Sequence, residues 1–428
     1  MMGNRDASDI HGKVNYVTRL NLLFYEYAQN HDNFYIHDIN YLSGRYGLEK
    51  WSDPFYWHSY KYALCVPAIP EFASSVAKII KSIYGKNKKA LVLDLDNTLW
   101  GGVVGDDGPE NLVLGHETSA GQVYCAFQEY LKEYKEYGIL LTVDSKNDHD
   151  NAIAGLNHPE GVLRPDDFVK IKANWEPKDQ NLRAIASELN LMPDSMVFVD
   201  DNPAEREIVR QQVPGAAVPE MPGEPAYYAR TIDQSGFFEV TNLSEDDKKR
   251  TEMYMENARR QQEEAAFENY EDYLKALQMK AEIRPFAKVY MARIAQLTNK
   301  SNQFNLTTRR YTQAEIEETA QNPEYITLYG KLEDKFGDNG VITVVIGHQQ
   351  QETLHVDLWI MSCRVLKRDM EYAMMDALVK EARSRGVTQI RGYYYPTAKN
   401  AMVKEFYSLQ GFDKIEEDEQ GNTVWSMQ

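Results

Sequence analysis

Asp94 and Asp96 stand one residue apart at the end of the apolar run Leu91-Val92-Leu93. A strand side chain changes face at every residue, so the two carboxylates point the same way. Held that close they repel each other, and a cation between them relieves the repulsion. A hard divalent ion such as Mg2+ prefers oxygen ligands of this kind. One aspartate could then attack phosphorus while the other handles a proton. A strand that simply ends in a helix cap would carry the same residues, so the rest of the chain has to decide between the two.

Three further stretches bear on that choice. Ile139 to Val143 reads as a buried strand running into Asp144-Ser145-Lys146-Asn147, and a strand-end hydroxyl can hydrogen-bond a phosphoryl oxygen. Trp175-Glu176-Pro177-Lys178 reads as the start of a helix, with Pro177 in its first turn and Lys178 near a terminus that favours anions. Met196 to Val199 is a further buried strand, and it ends in Asp200-Asp201. The turn Gly101-Gly102-Val103-Val104-Gly105 after the first strand could bring backbone close to a phosphate, or could simply turn a hairpin. In open parallel sheets, chemistry gathers beyond the carboxyl ends of the strands, where these polar residues fall.

Composition sets the frame. The chain has 428 residues, 43% of them hydrophobic, and a formal net charge of −18. This fits two or three soluble domains and a poor binder of nucleic acid. No apolar run is long enough to suggest a membrane span, and no secretory signal is visible. The three cysteines, Cys65, Cys125 and Cys363, are scattered, which points to a reducing, cytoplasmic setting. Residues 1–86 read as a fragment of something larger. Asp53 and His58 lie there without a serine motif upstream and are read as structural. Residues 87–240 read as a first α/β domain, 241–281 as a helical linker, and 282–428 as a second domain. Expected helices are Pro70–Ile83, Gln122–Tyr137, a long charged helix from Ser244 to about Ala266, a short one from Glu271 to Met279, and Asn400–Leu409. Expected strands in the second domain are Val341–Ile346, Thr353–Met361 and Ile390–Tyr395.

In this order, Asp94-x-Asp96-x-Thr98, Ser145, Lys178 and Asp200-Asp201 resemble the haloacid dehalogenase superfamily of phosphotransferases. The resemblance implies an α/β, Rossmann-like domain with a minimal cap, since only a turn and one helix separate Asp96 from Ser145. It implies Asp94 as nucleophile and Asp96 as general acid/base. Ser145 and Lys178 would hold the phosphoryl oxygens, with Thr98, Gly101, Gly102 and Lys146 as further phosphate-binding candidates. Mg2+ would sit on Asp94, the Asp96 carbonyl and Asp200, supported by Asp201.

The second domain, with Glu405-Phe406-Tyr407-Ser408-Leu409-Gln410-Gly411-Phe412 after a strand, resembles the GNAT acyltransferase fold, a GNAT-like α+β domain. There a tyrosine at the Tyr407 position would protonate a leaving thiolate. Asp94 to Gly105, Val199 to Arg206, Asn302 to Tyr311 and Phe336 to Gly340 together resemble the FkbH-like family. That resemblance implies removal of phosphate from 1,3-bisphosphoglycerate or a similar phosphorylated three-carbon acid. The glyceryl unit would pass to the phosphopantetheine thiol of an acyl carrier protein in polyketide-type biosynthesis. Arg309, Arg310, Arg364, Lys367 and Arg368 are the candidate carrier-binding residues.

Two positions depart from that family. Asp144 stands where glyceryl loaders have a cysteine, and Lys367 and Asp369 stand where many relatives have glycines. Asp144 cannot form a thioester, and its charge is expected to strengthen metal binding while repelling a phosphorylated anion. Cys363, just before a helix, is the candidate stand-in thiol. Slow carrier loading is therefore expected, with Asp144→Cys gaining a trappable acyl-enzyme. The alternatives are a phosphatase of a sugar phosphate or protein, with the second domain only shaping the site, and a carrier-binding module with impaired transfer.

Overall fold

Four short strands form the first sheet: β1 (Ala90–Leu93), β2 (Leu140–Ser145), β3 (Lys170–Ala173) and β4 (Met196–Val199). They pair in parallel in the order β3-β2-β1-β4. The chain steps outward from β1 to β3, then returns to lay β4 on the other side of β1. That reversal opens a crevice beyond the carboxyl ends of β1 and β4. Every residue of β1, β2 and β4 is buried because helices cover both faces. Leu91, Leu93, Val197 and Val199 pack on one face with Phe127 and Leu131 of the helix Ser119–Glu136. Ala90, Val92, Met196 and Phe198 pack on the other with Leu182 and Ile185 of the helix Lys178–Glu188. The computed structural model describes residues 3–428 apart from 32, 242, 244, 265, 363 and 364.

The C-terminal part holds a mixed sheet: β5 (Lys280–Pro285), β6 (Phe304–Asn305), β7 (Tyr325–Asp334), β8 (Gly337–Gln350), β9 (Thr353–Met361), β10 (Gln389–Tyr394), β11 (Asp413–Glu417) and β12 (Thr423–Met427). The order is β11-β12-β10-β9-β8-β7-β5. Only β9 and β10 run parallel, and they pair just at Thr353–His355 with Gln389–Arg391. Beyond that the two strands part, and β6 pairs with the end of β9 instead. The helices Met370–Ser384 and Met291–Lys300 cover opposite faces. This is the α+β arrangement expected.

Several bounds differ from expectation for local reasons. The helix expected from Gln122 starts at Ser119, because the Thr118 hydroxyl accepts the Gly121 N–H at 3.0 Å and caps it. Pro177 is the cap residue ahead of Lys178–Glu188 rather than a first-turn residue. The long linker helix is two, Glu245–Lys248 and Arg250–Glu264, and the expected cap Ser244 lies outside the described residues. The helix expected over Asn400–Leu409 is reduced to one turn at Phe406–Leu409 and a tighter turn at Ala401–Val403. Asn400 is fully buried and its amide donates to the Asn305 and Tyr395 carbonyls, both at 2.9 Å, which holds it outside a helix. Asp53 accepts the Phe55 N–H at 2.8 Å and caps the helix Pro54–Tyr60, a structural role as expected.

The two sheets meet through one edge of the parallel sheet. Lys89 precedes β1, Gly138 precedes β2 and Asp194 precedes β4, so all three lie at the amino edge. Lys399, after β10, pairs with Asp194. Arg250 donates to the Gly138 carbonyl at 2.8 Å, and the Lys300 side chain closes on Gly85. The C-terminal domain thus docks on the side away from the catalytic carboxylates. The helix Arg250–Glu264 is fixed to the β7–β8 hairpin by a buried charge cluster. Asp334 takes Arg260 at 2.7 and 2.8 Å and Arg368 at 3.0 Å, while Asn257 accepts from both arginines. Asp334 is wholly buried; burial would raise its carboxyl, but bonds from Arg260 and the Phe336 N–H hold it below the ordinary carboxylate value. Removing one partner of such a cluster strands the others. Asp334→Ala should therefore cost on the order of 3–5 kcal/mol in urea denaturation, and a loss under about 1 kcal/mol would show that the cluster does not hold this joint.

Candidate active site

Asp94 follows β1, and its N–H bonds to the Val199 carbonyl at 2.9 Å, so the ladder with β4 continues one residue past the strand. Asp200 and Asp201 follow β4. Carboxylate oxygens of Asp94, Asp200 and Asp201 all lie within 4.8 Å of one another. Lys178, the first residue of its helix, reaches between them: its Nζ lies 2.9 Å from Asp94 Oδ1 and also contacts Asp200 Oδ2. Burial works against the lysine's charge, yet the carboxylates of Asp94 and Asp200 outweigh burial and hold its pKa above the ordinary value. Burial and then the charge of Asp94 push the Asp200 carboxyl up. One ammonium thus faces three carboxylates, which is the donor set and the charge deficit that a hard divalent cation satisfies.

The surrounding bonds fix the carboxylates in place. The Asn202 N–H donates to Asp200 Oδ1 at 2.8 Å, and Arg206 holds the Asp200 and Asp201 carbonyls at 2.9 and 2.7 Å. Asp96 is turned away from the cluster. Its Oδ1 accepts from Trp100 Nε1 at 2.9 Å and the Val104 N–H at 3.0 Å, and its Oδ2 from Asn147 at 2.9 Å. Burial raises its carboxyl above the usual range despite those donors, which suits a group that must hold and release a proton. Ser145 is the last residue of β2 and is buried at the same end of the sheet. Trp100, Asn147, Arg206 and Asn181 escaped the sequence reading as site residues. Asn147 and Arg206 stood inside stretches already singled out, but nothing in their type revealed which carboxylate or carbonyl they would hold.

Several expected contacts are corrected. Thr98 is fully buried, and its hydroxyl accepts the Asp201 N–H at 3.2 Å; it braces the β4 loop rather than facing a phosphate. The Gly101 N–H bonds to the Val113 carbonyl at 3.1 Å and the Gly102 N–H to Asn97 Oδ1 at 3.0 Å, so neither amide is offered to a ligand. Gly102 does need its freedom: its φ is +99° and a Cβ would meet Asp107 at 2.8 Å. Lys146 is ion-paired to Glu205 at 2.6 Å. Asp144 is wholly buried beneath the cluster, with Oδ1 accepting from Asn181 at 3.1 Å and Oδ2 making no hydrogen bond. Burial lifts its pKa to about 8, only partly offset by the charge of Lys178 and the Asn181 bond. Burial thus favours its uncharged form, which weakens the expected repulsion of a phosphorylated anion.

The C-terminal candidates are scattered. Arg368 is buried against Asp334, and Arg310 is tied to the Ser301 carbonyl at 3.1 Å and to Thr298 and Asn302. Arg309 is half-exposed but paired with Asp357 at 2.7 Å. Lys367 is exposed. Both Lys367 and Asp369 have left-handed backbone, φ +63° and +59°, so the loop keeps the conformation that glycine would favour. Tyr407 is fully buried; burial raises its pKa, and its hydroxyl lies near the Tyr393 backbone without a well-formed hydrogen bond. A group so enclosed has no path to a leaving thiolate in this conformation. Cys363 and Arg364 lie outside the described residues. Among the described residues, the C-terminal domain meets the parallel sheet at its amino edge.

A parallel sheet whose switch point carries Asp94, Lys178 and Asp200-Asp201 has the architecture of a haloacid dehalogenase-type domain. Residues 6–81 match the family model described as FkbH, N-terminal domain, so the resemblance to the FkbH-like family holds. The N-terminal part of a Bacteroides fragilis protein, crystallised as a phosphatase domain complexed with Mg, is 40% identical with a TM-score of 0.55. The match covers 56% of this chain and 65% of that one. The Escherichia coli ribosomal-protein-S18-alanine N-acetyltransferase covers 35% of this chain and 93% of its own at 12% identity, TM-score 0.27. The GNAT domain of S. lividans PAT covers 34% of this chain and 89% of its own at 14% identity, TM-score 0.29. No curated protein matches the chain. Among the described residues, no helix is long and apolar enough to cross a membrane.

Asp144 gives a pH signature. Its folded pKa lies above the ordinary 3.8, so its contribution to stability is complete below that value and is lost as pH rises through about 8. In EDTA, Asp144→Asn should gain on the wild type by up to about 1.4 kcal/mol per pH unit from pH 5 to pH 8 and then level off. Parallel stability–pH curves for the two proteins would contradict the burial of a neutral carboxyl here.

Proposed function

We propose that this chain removes phosphate, with Mg2+, from a phosphorylated three-carbon acid such as 1,3-bisphosphoglycerate. The glyceryl unit then passes to the pantetheine thiol of an acyl carrier protein. The observation that carries the reading is the buried Asp94–Lys178–Asp200–Asp201 cluster at the carboxyl edge of the sheet. Asp94, Asp200 and the Asp96 carbonyl would hold Mg2+, which when bound offsets negative charge on the phosphoryl oxygens. Lys178 and Ser145 would orient those oxygens. Asp94 attacks phosphorus, the ester oxygen leaves with a proton from Asp96, and Asp96 then activates the water that frees the phosphate.

The balance of atoms decides which phosphate meets Asp94. Taking the phosphoryl group from the acyl phosphate would leave a carboxylate, which cannot acylate a thiol. Asp94 therefore acts on the phosphomonoester, and the carrier thiol displaces the second phosphate from the acyl carbon. The described contacts of the C-terminal domain with the parallel sheet lie at its amino edge, which leaves room at the carboxyl edge for a carrier-borne thiol. A second reading, a phosphatase without acyl transfer, is favoured by the buried Asp144 and by the absence of a described cysteine at the mouth: Cys125 is buried on the helix Ser119–Glu136, and Cys65 lies in the N-terminal region.

The test combines phosphate release with intact-mass measurement of a holo carrier in the presence of 1,3-bisphosphoglycerate. EDTA, or Asp94→Asn, should lower phosphate release at least about a hundredfold. Wild-type turnover by Asp94→Asn would remove the nucleophile assignment. Phosphate release with no glyceryl adduct on the carrier would leave the phosphatase reading alone.

A further inference from the structure

The helix Lys13–Gln29 runs for 17 residues, and none of them is buried. The small core of its region, Leu42, Trp51 and Ala68, takes nothing from it. A helix of this length is marginal in water alone and owes its stability to packing of an apolar face. Such a face is present. Tyr16, Leu20, Leu23 and Tyr27 recur at spacings of four, three and four residues, the repeat that lines a seam between two helices. Val17 and Phe24 flank the seam on one side. Tyr16, Val17, Leu23, Phe24 and Tyr27 are each between 43% and 60% exposed. The Phe34 ring packs on those of Phe24 and Tyr27, with centroids 6.2 and 5.0 Å away, and extends the same surface. Asn15 donates to the Ala7 carbonyl at 2.9 Å from a position off the seam, so the link to the preceding helix Arg5–Ser8 leaves the seam uncovered.

Three half-exposed rings at about 100 Å² each, with Val17 and Leu23, put roughly 450 Å² of apolar surface on this face. That is more than half of the ~800 Å² per partner of a standard interface, before the polar flank is counted. Arg19 and Glu26 form that flank. They stand seven residues apart on the other side of the seam, both exposed, and among the described residues neither is in an ion pair. Two copies related by a two-fold axis, with these helices antiparallel, would stack Leu20 on Leu23 and Tyr16 on Tyr27, each twice. The same register sets Arg19 against Glu26 and Val17 against Phe24. Run parallel, the two helices would set Arg19 against Phe24 and leave the charges without partners. A surface made for an unrelated partner has no need of this symmetry.

We propose that the helix Lys13–Gln29 is a dimerisation element, which pairs antiparallel with the same helix of a second copy of this chain. The inference does not depend on the catalytic reading, because none of its residues belongs to the carboxylate cluster.

The test is sedimentation equilibrium of the full chain over concentrations up to tens of micromolar. The wild type should reach twice the 49.3 kDa mass of one chain. Leu23→Asp, at a position exposed in the single chain, should be monomeric. Arg19→Glu and Glu26→Arg should each weaken the dimer about tenfold or more, because each brings two like-charge contacts into the interface. Combined in one chain, the two changes restore opposite charges and should recover wild-type association. A wild type that stays monomeric would overturn the proposal and leave the face to a different protein. So would a dimer indifferent to Leu23→Asp, or a double charge variant that associates no more tightly than the single ones.

Discussion

One lysine holds the catalytic end of the molecule together. Lys178 enters from a helix start and meets Asp94 from β1 and Asp200 from β4, so three elements converge on a single ammonium. Without it, three carboxylates would share a buried space with no counter-charge, at a cost no local hydrogen bond could offset. The arrangement is poised rather than complete: one positive charge stands against three negative ones, and the deficit is the physical reason the site calls for a divalent cation. Arg206, Asn202 and Thr98 hold the loops after β1 and β4 in place around that imbalance.

The sheet then separates two tasks by direction. Its carboxyl edge gathers the acidic cluster, and its amino edge meets the C-terminal domain through ion pairs on Asp194 and Asp247. Strands of only four to six residues lie between them. The buried Arg260–Asp334–Arg368 cluster and the joint around Asp247 both fix the linker, which sets the two sheets in one relation.

What could be read from the sequence followed from repetition and chain order. Val92, Leu93, Val197 and Val199 announced buried strands, and the acids directly after them announced the site, because strand ends in a parallel sheet share one edge. The α/β and α+β classes were legible for the same reason. The donors were not. Gly101 and Gly102 look like a phosphate cradle until the Val113 carbonyl and Asn97 side chain claim their amides, a pairing set by the fold of the loop. Asp144 and Ser145 are neighbours in sequence but face opposite ways in a strand, so adjacency to a catalytic residue said nothing about access. Arg368 read as surface charge and is buried against Asp334, a partner distant in sequence, while Arg310 is exposed but tied down by Ser301 and Asn302. Asn400 was placed in a helix by its neighbours' pattern and is held outside it by two carbonyls.

The central claim is that Asp94 is the phosphoryl acceptor of a cation site completed by Asp200 and Asp201. The most direct measurement is a crystal structure grown with Mg2+ and trifluoroberyllate, an analogue of a phosphoryl group on aspartate. The account predicts beryllium bonded to the Asp94 carboxylate, Mg2+ on Asp94, Asp200 and the Asp96 carbonyl, and Lys178 within hydrogen-bond reach of a fluoride. Mg2+ bound away from these residues, or beryllium on another carboxylate, would contradict it.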